Sequence, residues 1–187
     1  MAKKILQKEA PVLREIAKSL PLEDIKSAKI KAILIEMKKA LESQDDGVAI
    51  AAPQIGYSLR IFIVSHRVND IISKAKKSKD AESAEPLVPT TPSRDMVFIN
   101  PVIKKLSKQK KILEEGCLSV RYLYGKVSRS HQATVEAYDE NGNKFLRGGT
   151  GLLAQIFQHE TDHLNGILFI DKAKFVEEMP PEDIDSK

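Results

Sequence analysis

The segment GLLAQIFQHETDHLNG, residues 151–166, constrains this chain more than any other. Read as a helix from about Thr150, a suitable N-cap, to Asn165-Gly166, a suitable stop, it sets Leu152, Ile156, His159 and His163 in one row. The two imidazoles stand four positions apart, about one turn, which is the separation that two ligands of a single metal ion need. Because they extend an apolar row they face the interior, so the remaining chain must fold around this helix and leave a cavity with the histidines at its floor. Glu160 lies about 100° round the helix from His159, outside the ligand row but near enough to reach a water on the ion. A catalytic ion is usually held by three protein groups with one position left for water, so a further ligand has to come from elsewhere.

A chain of 187 residues with 42% hydrophobic content can bury a real core, and one domain spanning 1–187 is expected. No apolar run approaches the length of a bilayer span, and MAKKILQKEA opens without a hydrophobic segment and cleavage site. The expectation is a soluble, cytoplasmic protein with no membrane partner. Cys117 is the single cysteine, which excludes an intramolecular disulfide and leaves packing, ligation or nucleophilic attack as its task. The net charge is only +4, with lysines gathered in KAKKSK (74–79) and KKLSKQKK (104–111). No aromatic residues interleave with them as stacking platforms, so they read as solvated lysines and no direct nucleic-acid binding is expected.

Periodicity organises the rest. Within LEDIKSAKIKAILIEMKKALESQ, Ile30, Ile33, Leu34, Met37 and Leu41 recur at helical spacing and predict a long amphipathic helix near the N-terminus. DDGVAIAAPQIGY is too rich in glycine and alanine for a surface helix, and LRIFIVS after it reads as a strand. From Met96 to Arg147 the pattern stays β-like through MVFINP, KKILEEG, YGKVSRS and ATVEAYD, with DENGN as a hairpin tip. The pattern implies an antiparallel, partly curled sheet. Residues 65–95, polar and proline-bearing, read as a mobile insertion with a short helix around Val68 to Lys77. The tail EEMPPEDIDSK is acidic, and its double proline stops any helix before it.

The candidates for the third ligand are His66, His131, the carboxylates and Cys117. His66 lies in the expected insertion, a poor place for a rigid ligand. His131, in SRSHQATV, faces solvent or a neighbouring side chain. Cys117 follows a glycine that lets the backbone bend, and a thiolate with two imidazoles binds zinc or ferrous iron well. Its competing reading is a small buried hydrophobe.

GVAIAAPQIG, EGCLS and QHETDHLNG, in this order and spacing, resemble the three signature motifs of peptide deformylase, and the likeness extends over nearly the whole chain. The resemblance implies an α+β fold, with antiparallel, partly curled β-sheets packed around a central metal-binding helix, and Cys117, His159 and His163 as ligands of Fe(II), with zinc, nickel or cobalt as substitutes. It also implies hydrolysis of the formyl group on the initiator methionine of newly synthesised polypeptides, releasing formate. Glu160 would serve as general base and then acid, and the backbone N–H of Leu118 with the side-chain amide of Gln54 would stabilise the tetrahedral oxygen. Arg129 and Asp162 match a buried pair that braces the metal helix, and Gly47 a glycine beside the substrate peptide. Ala49 departs from the family's usual glycine, so its methyl is expected to narrow the channel or shift a substrate-binding backbone group.

The expected partners are N-formylmethionyl nascent peptides. Many bacterial relatives carry a basic C-terminal helix that docks on the ribosome, whereas this chain ends acidic, so weak or differently mediated ribosome association is expected. Two rivals stand beside this reading. HExxH also serves zinc endopeptidases, but no further downstream ligand is evident and Cys117 would be idle. A noncatalytic metal- or nascent-chain-binding module on the same fold is favoured by Ala49 alone.

Overall fold

The computed structural model describes residues 2–77 and 94–179. In chain order the elements are α1 (Ala28–Glu42), β1 (Ala49–Ala51), β2 (Ile61–Val64), α2 (Arg67–Lys77), β3 (Met96–Leu106), β4 (Lys110–Cys117), β5 (Val120–Ser130), β6 (Gln132–Tyr138), β7 (Lys144–Thr150), α3 (Leu152–His163) and β8 (Val176–Glu178). The strands form two antiparallel sheets, one ordered β1-β2-β3-β6-β7 and the other β4-β5-β8. Both β1 and β4 are therefore edge strands.

Strand β2 shows why the larger sheet must be covered on both faces. All four of its residues are fully buried, with Ile61 and Ile63 turned to one side and Phe62 and Val64 to the other. On the first side lies α1, whose Ile30, Ile33, Leu34, Met37 and Leu41 fill a cluster with Ile50, Ile61, Ile63 and Ile99. The Ser27 side chain starts that helix by accepting from the Ile30 N–H at 3.3 Å. On the second side α3 packs Leu153, Ile156 and Phe157 against Phe62, Phe98 and Val135. Phe62 and Phe98 stack with ring centroids 4.5 Å apart, and Phe157 meets Phe98 edge-on at 5.2 Å. A third cluster, Leu13, Val120, Val127, Leu168 and Phe169, lies under the smaller sheet.

The helix α3 begins one residue later than the sequence predicts. Thr150 ends β7, and Gly151 takes the N-cap position with no side-chain hydrogen bond. The strand runs straight into the helix because Gly149 lets the turn pass close by, a Cβ there standing only 2.9 Å from Leu153 Cγ. At the other end Gly166 has φ +72°, and the Ile167 N–H returns to the Asp162 carbonyl at 3.0 Å, closing the helix with a left-handed glycine.

The short helix expected around Val68 to Lys77 is α2, Arg67–Lys77. Val68 is fully buried and Ile72 packs against the second core cluster, so α2 opens as an amphipathic helix seated on the core. Of the expected insertion, residues 78–93, and of the acidic tail at 177–187, residues 180–187, lie outside the described residues. The start of that tail belongs to β8, which pairs with β5 through Leu123↔Glu178 and Gly125↔Val176. Among the described residues no helix is long and apolar enough to cross a membrane.

Candidate metal centre and active-site cavity

Two segments distant in sequence bring the chemistry together. His159 and His163 project from α3 with ring centroids 4.9 Å apart. Cys117 ends β4, and its Sγ lies 3.2 Å from His163 Nε2. Ligand atoms of the three residues all fall within 4.8 Å of one another. His66 and His131 are elsewhere: His66 pairs with Asp95 at 3.0 Å, and His131 sits in the bend between β5 and β6, where its N–H donates to the Gln109 carbonyl.

Glu115, two residues before Cys117, shares its face of β4. Its Oε2 lies 3.0 Å from His159 Nδ1, which leaves Nε2 of that ring for the centre. The same carboxylate takes a two-pronged contact from Arg129 at 2.7 and 2.8 Å, and Arg129 reaches Asp162 Oδ2 at 2.6 Å. Asp162 Oδ1 accepts from Lys172 Nζ at 2.6 Å. Arg129 thus ties β4 to α3 through two carboxylates. Glu115 was not singled out from sequence, although its spacing from Cys117 in a strand carried the signal.

The electrostatics of the centre are uneven. Burial opposes a charged His159 ring, but hydrogen bonds to Cys117 and Glu115 outweigh it and raise its pKa well above the ordinary value. His163 is pushed well below the ordinary range by burial and by the neighbouring His159. Burial would raise the Glu115 carboxyl, yet hydrogen bonds from Arg129 and His159 bring it down to about 2. Glu160 moves the other way, pushed up to about 7 by burial. Its Oε2 is buried and has no hydrogen-bond partner among the described residues.

A cavity of about 310 Å³ opens onto these groups. Gln54 lines it, its Nε2 standing 3.6 Å from Cys117 Sγ and 3.1 Å from Ser119 Oγ, while its Oε1 accepts from the Ala51 N–H at 2.8 Å. The amide is therefore fixed in orientation with its donor end toward the cysteine. Leu118 lines the cavity, as do Gly47 and Ala49 on the opposite wall. A side chain at Gly47 would crowd the end of α1 and the turn after it, since a Cβ would meet Leu41 Cδ1 at 3.0 Å and Gln44 Cβ at 3.1 Å. Ala49 is 6% exposed and belongs to the second core cluster.

A sequence profile of the family described as polypeptide deformylase matches residues 2–179. The chain belongs to the polypeptide deformylase family. It is 38% identical over 163 residues to peptide deformylase 2 of Clostridium acetobutylicum, covering 87% of this chain and 89% of that one. With the chloroplastic peptide deformylase 1A of Solanum lycopersicum it shares 39% over 162 residues, 87% of this chain but only 56% of the relative's length. Among solved structures, a class I type b peptide deformylase from Acinetobacter baumannii with Met-Ala-Ser bound is similar at TM-score 0.73 and 29% identity, covering 92% and 99% of the two chains. A peptide deformylase from Synechococcus elongatus in complex with actinonin gives TM-score 0.74 and 27% identity, covering 98% and 84%. The deformylase fold, antiparallel sheets with few helices, is thus that of this chain, and its class is a hydrolase of protein biosynthesis in a metal-dependent family.

Proposed function

We propose that Cys117, His159 and His163 hold one divalent ion, Fe(II) with zinc, nickel or cobalt able to substitute, at the floor of the cavity. With it the chain removes the formyl group from N-formylmethionyl nascent peptides in the cytoplasm. The observation that carries this reading is the convergence of the three ligand atoms within 4.8 Å beside a buried Glu160 oxygen that lacks a partner. The donor set fits such an ion, because thiolate and imidazole suit iron and zinc and the Glu115 carboxylate steadies one of the rings. Bound there, the ion supplies a Lewis acid that brings water's pKa toward neutrality and draws on the formyl oxygen.

The protein groups divide the remaining work. Glu160, with a carboxyl at about 7, is placed to take a proton as attack on the formyl carbon proceeds and to return it to the departing amine. Gln54 Nε2 and the Leu118 N–H are the donors for the oxygen that gains charge. Arg129 and Asp162, joined at 2.6 Å, keep α3 in place against β5.

In this reading a peptide is gripped between the two sheet edges. On β1, the Ser65 N–H donates to the Val48 carbonyl, so alternation turns the N–H and C=O of Ala49 away from β2 and toward the cavity. On β4, the Glu114 carbonyl accepts from Gln155 Nε2 at 2.8 Å, away from β5, and the same alternation turns the backbone groups of Gly116 to the free edge. An extended formyl-peptide fits between them as an added strand, with the methionine side chain directed inward toward Leu152 and Ile156. Alanine at 49 keeps both backbone groups that this needs.

The same reading takes residues 1–187 as one domain, places an insertion within 65–95, and leaves ribosome association weak or differently mediated. Formate release from formyl-Met-Ala-Ser under anaerobic conditions tests the assignment. Release abolished in Glu160→Ala with metal retained supports it, and unchanged release refutes the role of Glu160. A Cys117→Ser protein with full metal affinity and activity would remove the proposed third ligand. Anaerobic handling matters because a thiolate beside ferrous iron is prone to oxidation.

A further inference from the structure

Tyr124 lines the cavity, and the chemistry above gives it no task. On β4, Glu115 and Cys117 point toward α3, where they meet His159 and His163. Alternation along the strand turns Gly116 to the opposite face. Its cross-strand partner there is Tyr124, whose ring lies so close that a Cβ on Gly116 would stand 2.8 Å from Cε1 and 3.0 Å from Cδ1. Glycine at this point makes room for an aromatic ring beside the free edge of the strand.

A bulge positions that ring. Between the pairs Gly116↔Tyr124 and Cys117↔Val120, β4 advances one residue while β5 advances four, so Arg121, Tyr122 and Leu123 are surplus. Tyr122 adopts φ +64°, a backbone conformation rare for a bulky residue. The surplus is pinned from several sides. The Met179 N–H donates to the Tyr122 carbonyl at 2.8 Å, and the Arg121 N–H donates to Gln7 Oε1 at 3.2 Å. The Arg121 guanidinium bridges to Asp46 at 2.6 and 3.2 Å and to Gln44 Oε1 at 2.6 Å, on the segment that leads into β1. Arg121 therefore ties the arm carrying Tyr124 to the opposite wall of the slot.

This inference rests on the strand-addition reading given above. If the methionine side chain points inward, the side chain of the second residue points to the other face, where Gly116 offers no side chain and the Tyr124 ring stands instead. We infer that Tyr124 is a specificity-determining residue that presents its ring to the second side chain of the formylated peptide and favours an aromatic residue there over alanine. An offset or edge-on aromatic contact contributes roughly three- to tenfold in affinity.

The test compares formyl-Met-Phe-Ser with formyl-Met-Ala-Ser on the metal-loaded protein, alongside the binding of the product tripeptides Met-Phe-Ser and Met-Ala-Ser. The wild type is expected to favour the phenylalanine substrate about three- to tenfold in kcat/KM, expressed in KM and not in kcat, with a matching ratio of product affinities. Tyr124→Phe should keep both ratios, while Tyr124→Ser and Tyr124→Leu should bring them close to one. A wild-type ratio near one, or a ratio that survives Tyr124→Leu, overturns the inference. If the wild type releases no formate from either peptide, the deformylase reading fails, and the product affinities in wild type, Tyr124→Phe and Tyr124→Leu still decide the role of the ring.

Discussion

Removing Arg129 should leave two carboxylates stranded between β4 and α3, and the structure sets the size of the loss. The guanidinium is 3% exposed and satisfies both oxygens of Glu115, itself 2% exposed, together with one oxygen of Asp162. After Arg129→Met, Glu115 retains only His159 and a long 3.4 Å contact from Gln155, while Asp162 retains Lys172. The Glu115 carboxyl lies at about 2 against an ordinary 4.5, a difference worth roughly 3 kcal/mol that Arg129 shares with His159. Breaking a buried charge pair by removing one partner typically costs about 3–5 kcal/mol, in agreement. Urea unfolding at pH 7, with and without metal, should therefore show a midpoint lower by roughly 2 M at an unchanged slope of about 2 kcal/mol/M. The sign of the pH dependence follows from the depressed carboxyl. The contribution of Glu115 is fully present above 4.5 and is lost as pH falls through about 2, so the gap between wild type and variant should narrow across that window. The double variant Arg129→Met/Glu115→Gln should recover part of the loss by removing one stranded charge. A single variant that loses less than about 1 kcal/mol, or a gap that stays constant from pH 5 to 2, would refute the view that Arg129 stabilises by compensating Glu115.

Four further outcomes follow from the same geometry. Glu115→Gln should weaken zinc binding about 10- to 100-fold, read by competition with a chelator, because the ring of His159 loses a charged partner on Nδ1. Ala49→Gly should lower stability by about 1 kcal/mol in urea; a gain above tenfold in kcat/KM would show instead that the methyl obstructs the peptide. Asp171, held below its ordinary pKa against the cost of burial by its hydrogen bond to Arg14, contributes stability that is complete above about pH 4 and is lost as pH falls through its lowered value. The difference in Tm between wild type and Asp171→Asn should accordingly shrink below pH 4. For ribosome association, the deletion that tests the tail must begin at residue 180, since Val176–Glu178 forms a strand on β5. Tight cosedimentation that survives moderate salt and disappears on deleting 180–187 would count against weak association.

Much of the scaffold could be read from periodicity because burial selects it directly. The residues Ile30, Ile33, Leu34, Met37 and Leu41, spaced for one helix face, all lie in the first core cluster. The turn at DENGN closes β6 onto β7 with Gly142 at φ +78°, the conformation for which its position calls. The start of α3 was misplaced by one residue because Thr150, a good cap by side chain, is held in the β6–β7 ladder by pairing with Gln132. Within 65–95, the helix expected around Val68 to Lys77 forms, but its seat on the second core cluster through Val68 and Ile72 was hidden by the polar residues around them.

The site divides along the same line. A pair of histidines four apart advertises itself, because one helix carries both and its period is fixed. Contacts across strands depend on register, which a single sequence encodes weakly. Glu115 and Cys117 could have been placed on one face by alternation alone, since the irregularity at Gly116/Cys117 adds its surplus residues to β5 and not to β4. Tyr124 could not. Ordinary hairpin counting outward from Leu118 and Ser119 pairs Gly116 with Arg121, and only the three-residue surplus in β5 brings Tyr124 opposite instead. That surplus requires a left-handed tyrosine and is held by Gln7, Asp46, Gln44 and Met179, residues spread from near the start of the chain to the end of the second sheet. The wall of the cavity that carries Tyr124 is thus positioned by contacts between segments far apart in the chain, whereas the candidate metal ligands rest on one helix and one strand end.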